Sequence, residues 1–276
     1  MSKILISPPS ISYIKENPEF NYLIGIKSFS YGHDVILSVN DLTKLLEDNL
    51  NIFISLNKLI YESELDTLTK TLLNLSKLPI KGIFFEDMSV LELNNELGLK
   101  LNLIAAGAHY ITNYEVINQL VKKGASGVKI SPDITLDEIK EITAYSNTVL
   151  YLDVFKRLPL FVSKRPLISN YLKTLDKKLT KDNYEIISDQ NFNYPIIETK
   201  QLTIVLNHFI MNLINELNIF KKLGINYLII TSFGIKEDIF NQGVTALLNE
   251  DKLKLDNTNT GFLYNKAIYK VGDIDD

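Results

Sequence analysis

The chain has no cysteine and no tryptophan, and only three histidines among its 276 residues. Without a thiol there is no disulfide, no cysteine nucleophile and no iron–sulfur cluster held by the chain's own thiolates, so no cofactor is expected to be bound by cysteine. His33, His109 and His208 form no HExxH arrangement, so no metal site is expected and each reads as a lone loop or core histidine. Long apolar runs are scarce too. The opening MSKILISPPS lacks the apolar core of a signal peptide, and LTIVLNHFIMNLI is interrupted by Asn207, His208 and Asn212. No membrane span is expected, and the location is expected to be cytoplasmic. Hydrophobic residues at 46% against 22% charged give the balance of a folded globular chain, which sets disorder aside. A net charge of -4 argues against nonspecific coating of nucleic acid, while a local basic patch can still meet phosphates.

Against those absences stands a regular beat. KILIS, YLIGI, IFISL, GIFF, LNLIAA, GVKI, TVLYLDVF and YLIIT are eight short β-rich runs. Between most of them lie VNDLTKLLEDNL, ESELDTLTKTLLNL, SVLELNNEL, NYEVINQLVKKG and TLDEIKEITAY, with apolar residues at three- and four-residue spacing. Thr135 followed by Glu138 is a capping-box pattern, and Gly124 stands where a helix should stop. Strand–helix repetition predicts parallel strands and an α/β fold, a (β/α)8 TIM-like barrel in one domain spanning 1–276. The beat breaks at about 172–223, an elaboration predicted as a hairpin followed by the helix LTIVLNHFIMNLINELNIFKKLG. A flexible linker at 257–260 and a short C-terminal β segment from Phe262 to Val271 complete the expectation.

The densest chemistry is the run from Asp153 to Tyr171. A strand ending in a carboxylate leads into Lys156, Arg157, Lys164 and Arg165, with Pro159 and Pro166 stiffening what reads as a shaped loop. Such a loop suits an anion, and its bland reading is a solvated basic surface. In a barrel, polar residues just past the strands converge on one face: Ser7, Lys27, Ser28, Asn57, Lys58, Glu86, Asp87, residues 109–113, Lys129, Ser131, Asp153 and Ser232. Asn57 and Asn113 can bind a ligand or cap the next helix; Glu86 and Asp87 can act as bases, or Asp87 can cap the helix near Ser89. Lys129, in an apolar strand, needs an acid or an anionic ligand, and Asp153 can be that acid. Ser163 and Ser169 lack the histidine or GxSxG elbow of a nucleophile.

The segment FVSKRPLISNYL resembles the signature region of the bacterial collagenase-like peptidase family U-32. IGIKSFSYG, IFISLNKLIYESEL, ITNYEVINQLVKKGASGVKISPDITLDEI, NYPIIET and TGFLYNKAIYKV resemble further family blocks in the same order. The chain is most similar to the small Firmicute-type members linked to prephenate-dependent hydroxylation of the tRNA wobble uridine. That resemblance implies a tRNA-modification protein, with prephenate as co-substrate, tRNA as partner, and a paralogous family member as a second subunit. Of the candidate residues, Asp87, Arg165, Asn57, Asn113, Ser169, Asn170 and Tyr171 match the family; Asp153 or Asp87 is then the expected catalytic group, and Arg165 with neighbouring Lys164 or Lys129, together with Asn57, Asn113, Ser169, Asn170 and Tyr171, the expected substrate-binding set. Lys156 and Arg157 are expected to meet RNA phosphates. The chain departs from the family where Pro166 replaces the signature cysteine, Lys164 a glycine, and Pro132 and Asp133 an Arg–Glu pair; Ala108 stands near where relatives have Gln. The alternatives are a peptidase, whose mechanism has no visible residues, and a noncatalytic partner subunit.

Overall fold

Eight parallel strands form where the alternating runs stand: β1 (Lys3–Ser7), β2 (Asn21–Ile26), β3 (Asn51–Leu56), β4 (Gly82–Phe85), β5 (Leu103–Ala105), β6 (Gly127–Lys129), β7 (Val149–Lys156) and β8 (Tyr227–Thr231). Each pairs with the next. β8 pairs also with β1, from Lys3 opposite Tyr227 to Ser7 opposite Thr231, and the barrel closes. The computed structural model describes residues 2–107, 110–178, 183–187, 192–199 and 202–265.

Helices pack outside, and their starts follow their caps. Asp87, Asn113 and Thr135 each accept a backbone N–H from the first turn of the helix they precede, and Glu138 reaches back to Thr135 to complete the capping box. The main core lies between strands and helices, where Ile6, Ile24, Ile54, Ile83, Val128 and Ile230 point outward. A second cluster fills the barrel: Leu5, Leu23, Phe53, Phe84, Ile104, Tyr151 and Ile229. Phe84 meets Tyr151 edge-on at 5.0 Å between centroids, and Tyr151 stacks on Tyr227 at 4.6 Å. Gly127 makes room for this plug, since a Cβ there would lie 2.9 Å from the Tyr151 ring. Each buried side chain of this size contributes roughly 1.5–3 kcal/mol.

The two-residue period of a strand sets what lies above the plug. Two residues past Leu5, Phe84, Gly127, Tyr151 and Ile229 come Ser7, Glu86, Lys129, Asp153 and Thr231. A polar layer therefore caps an apolar one at the carboxyl ends of the strands, where barrels of this type place their chemistry.

Between β7 and β8 the chain builds a four-stranded antiparallel sheet, in the order 183–187, 193–198, 203–206, 159–163. Three expectations change here. The run after Asp153 is not a shaped loop: Pro159–Ser163 is a strand and Leu167–Thr174 a helix, with the two prolines marking their starts. The helix expected over LTIVLNHFIMNLINELNIFKKLG is in fact the strands Thr203–Leu206 and Ile210–Asn212, a 3-10 turn, and a short helix, Leu217–Lys222. Its apolar run satisfies strand and helix periods alike, and pairing with 193–198 and with β7 decides for strand. At the C-terminal end, Thr258–Asn259 is itself a strand beside Ile210–Asn212, while residues 261–264 are turns. The rest of the expected β segment, from 266 on, lies outside the described residues, as do Ala108 and His109.

Candidate functional site

Two lysines share one buried carboxylate oxygen at the barrel mouth. Lys129 Nζ and Lys156 Nζ each lie 3.2 Å from Asp153 Oδ2. The side chains are 11%, 22% and 3% exposed respectively, so the three ions are largely shielded from water. Lys129 arrives by strand alternation. Lys156 arrives by a bulge: Ile229 pairs with Asp153 but Ile230 pairs with Phe155, so β7 carries one extra residue. Val154 and Phe155 both enter the outer core, and Lys156 returns to the interior side of Asp153.

The three groups titrate in opposite senses. Burial opposes ionisation of Asp153, but the two ammonium groups outweigh it and hold the carboxyl below its usual range. Burial likewise lowers Lys129, and Asp153 with help from Glu86 reverses this, leaving it raised. For Lys156 burial prevails, with the Lys129 charge adding to it against the pull of Asp153, and its pKa falls. Two like residues on one acid are thus driven apart in proton affinity by their surroundings.

Around this cluster stand residues from other strand ends. Ser7 Oγ lies 2.9 Å from His33 Nδ1. Burial lowers the pKa of His33, the Lys156 and Lys129 charges lower it further, and Asp153 opposes them; the ring stays neutral near pH 7. The Tyr31 hydroxyl donates to Glu86 Oε2 at 3.5 Å, and the Tyr110 hydroxyl donates to the Glu86 carbonyl at 3.2 Å. The Ser232 hydroxyl donates to Asp34 at 2.6 Å.

The other residues singled out from sequence fall into two groups. Several are occupied with backbone. Asp87 accepts N–H groups from Ser89 and Ile60 on its two oxygens; Asn57 accepts from the Tyr31 N–H and donates to the Tyr31 carbonyl; Asn113 caps its helix. Arg157 donates through Nη1 to the carbonyls of Asn207 and His208, which ties it to the insertion. Ser169 donates to the buried Glu198, which also accepts the Ile168 and Ser169 amides at the start of helix Leu167–Thr174. Lys164, Arg165, Asn170 and Tyr171 are on the exposed side of the insertion. Lys156, expected with Arg157 to meet RNA phosphates, lies instead against Asp153 beside Lys129. His33 and Tyr31 were missed as site residues; the signal available was the polar run SYGHD, Ser30 to Asp34, in the connection after β2 at the same barrel end.

The insertion spans the mouth. It leaves from β7, yet Lys164 lies 3.1 Å above the centre of the Tyr61 ring and 3.6 Å from Glu64 Oε2, in the connection after β3, across the barrel from β7. Lys58 pairs with the same Glu64 through its other carboxylate oxygen. On its inner side, Leu202, Ile204 and Leu206 pack against Tyr31 and Phe233, beyond β2 and β8. Two surface hollows lie away from the mouth, one lined by Lys3, Lys221 and Tyr227 and one by Asn212, Asn215 and Leu253; neither is lined by a carboxylate. Among the described residues no group of three or more His, Asp and Glu is arranged to hold a metal ion, and no helix is long and apolar enough to cross a membrane.

Known proteins resemble this chain in sequence and in fold. The chain is 24% identical over 216 residues to the tRNA hydroxylation protein P2 of Bacillus subtilis (strain 168), covering 74% of this chain and 70% of that protein. The solved structure of the U32 peptidase Mk0906 superposes with a TM-score of 0.54 at 11% identity, over 86% of this chain and 95% of the other, a likeness of fold. Residues 23–255, nearly all of the barrel together with its insertion, match the family model described as peptidase family U32, and this chain belongs to that family.

Proposed function

We propose that this chain acts in hydroxylation of the tRNA wobble uridine, as the enzyme or as one of two paralogous subunits, and that its barrel mouth holds prephenate. The observation that carries the reading is the pair Lys129 and Lys156 on one oxygen of Asp153. One carboxylate serves two buried cations, so a carboxylate ligand can take one lysine without leaving the other unpaired. Lys156, whose pKa burial and the Lys129 charge lower, is then the lysine that gives up a proton more readily, with Asp153 holding both ammonium groups in position. Proton transfer is assigned to this pair over Asp87, whose oxygens serve backbone amides. The similarity to a protein named for tRNA hydroxylation supports the choice of substrate.

A second reading, peptide hydrolysis, has one contact in its favour, the Ser7–His33 hydrogen bond beside Asp153. Two facts weigh against it. Ser7 is fully buried, out of reach of a peptide, and Lys129 with Lys156 opposes the imidazolium that a serine nucleophile would create.

The test is mass spectrometry of tRNA from cells with the gene intact, deleted, or replaced by Lys156→Met. Loss of hydroxylated wobble uridine in both altered strains is expected. Loss on deletion with full rescue by Lys156→Met would assign the chain a noncatalytic partner's role, and normal hydroxylation in the deletion strain would overturn the reading.

A further inference from the structure

The mouth accounts for Lys129 and Lys156 but not for the outer face of the insertion. Residues 159–178 carry Lys164, Arg165, Lys173, Lys177 and Lys178 against the single acid Asp176, in a chain whose net charge is -4. All six of these residues are exposed. In the same segment Phe161 is 47% exposed and Tyr171 64%. Leu160, Phe161 and Val162 lie consecutively on Pro159–Ser163, which among the described residues pairs on one side only, with Thr203–Leu206. An apolar edge strand left open is a liability, and here it is flanked by like charges that repel a second basic edge and attract an anion.

Cations interleaved with exposed aromatic rings are what unpaired nucleotides recognise, since phosphates take the charges and bases stack on the rings. The platform is also firmly mounted. Glu198 secures the start of helix Leu167–Thr174 through the Ile168 and Ser169 amides, and Lys164 anchors the corner to Tyr61 and Glu64 at the far rim. Bases held there would lie beside the mouth.

We infer that residues 159–178 form a docking platform for the single-stranded loop of an RNA, with Phe161 and Tyr171 as stacking surfaces and Arg165, Lys173, Lys177 and Lys178 as phosphate contacts. This rests on the tRNA reading above and names the surface by which the RNA is held.

The experiment is binding of an unmodified tRNA transcript to the full chain over a range of salt, with the solution mass of each variant measured alongside. The double variant Lys173→Gln/Lys177→Gln is expected to lower the slope of log affinity against log salt by about 1.5, two phosphate contacts' worth. Phe161→Ala or Tyr171→Ala should weaken binding by about 5- to 150-fold, with Tyr171→Phe restoring it, since stacking needs only the ring. Wild-type binding that all these variants share would overturn the platform and leave the tRNA reading standing. Absence of tRNA binding by the wild type, with a change of solution mass in the Phe161 or Tyr171 variants, would overturn it in favour of a protein partner. The hydroxylation assay of the deletion strain tests the parent reading separately.

Discussion

Asp153→Asn removes the one charge that holds two buried lysines. At 3.2 Å, each Lys–Asp attraction is about 5 kcal/mol at an effective dielectric of about 20, before the cost of dehydrating the ions is subtracted. The variant keeps nearly the same volume, so packing is unchanged. It leaves two ammonium groups facing a neutral amide, and breaking a buried pair in this way costs roughly 3–5 kcal/mol. At about 2–4 °C per kcal/mol for a chain of this size, the melting temperature should fall by roughly 6–20 °C. Adding Lys156→Met removes one stranded cation and should return part of the loss, because the two sites are coupled. Lys156→Met alone should be mild, since it leaves Lys129 and Asp153 as a one-to-one pair. Thermal melts of the four proteins at pH 7 check this. An Asp153→Asn protein melting within 2 °C of wild type, or a double variant no more stable than Asp153→Asn, would refute the argument that the cluster is electrostatically coupled.

The same cluster sets an acid limb. The Asp153 carboxyl titrates lower in the folded than in the unfolded chain, so its contribution is present above about pH 4 and lost as pH falls through the folded value; denaturation midpoints between pH 5 and pH 2 should be flatter in Asp153→Asn. His33 has its folded pKa lowered, so the unfolded chain binds more protons below about pH 6.5 and stability should decline there, while the His33 ring signal in NMR shows no titration between pH 7 and pH 5. Glu198→Gln should cost about 1–3 kcal/mol, since its charge-assisted bonds to Ile168 and Ser169 weaken, and hydrogen exchange should quicken in 167–174 while the barrel strands keep their protection. Lys164→Ala should change overall stability by no more than about 1 kcal/mol and yet raise exchange at residues 159–165, because it frees the insertion from Tyr61 and Glu64.

The barrel was legible because its strands obey local rules. Each of the eight runs is short and apolar, and between them stand helices whose caps, Asp87, Asn113 and Thr135, are visible as residue types at fixed offsets. The insertion was not. Residues 202–222 are apolar enough for either period, and what makes 203–206 a strand is pairing with residues 193–198 and 159–163, which no local pattern encodes. Pro166 punctuates in both readings, yet the helix that follows it owes its first turn to Glu198, about thirty residues on.

The site was half legible for a related reason. Lys129 and Asp153 occupy equivalent places two residues past an interior position, so alternation alone brings them together. Lys156 does not follow from that rule, because three residues along a regular strand reverse the face, and an unbroken β7 would turn its ammonium group away from Asp153. The bulge at Val154 restores it. A single backbone irregularity therefore converts an ordinary buried ion pair into a carboxylate with two cations, whose proton affinities diverge. Bulges commonly re-aim side chains, and the register of β7 against β8 is the feature on which the pairing of Lys156 with Asp153 depends.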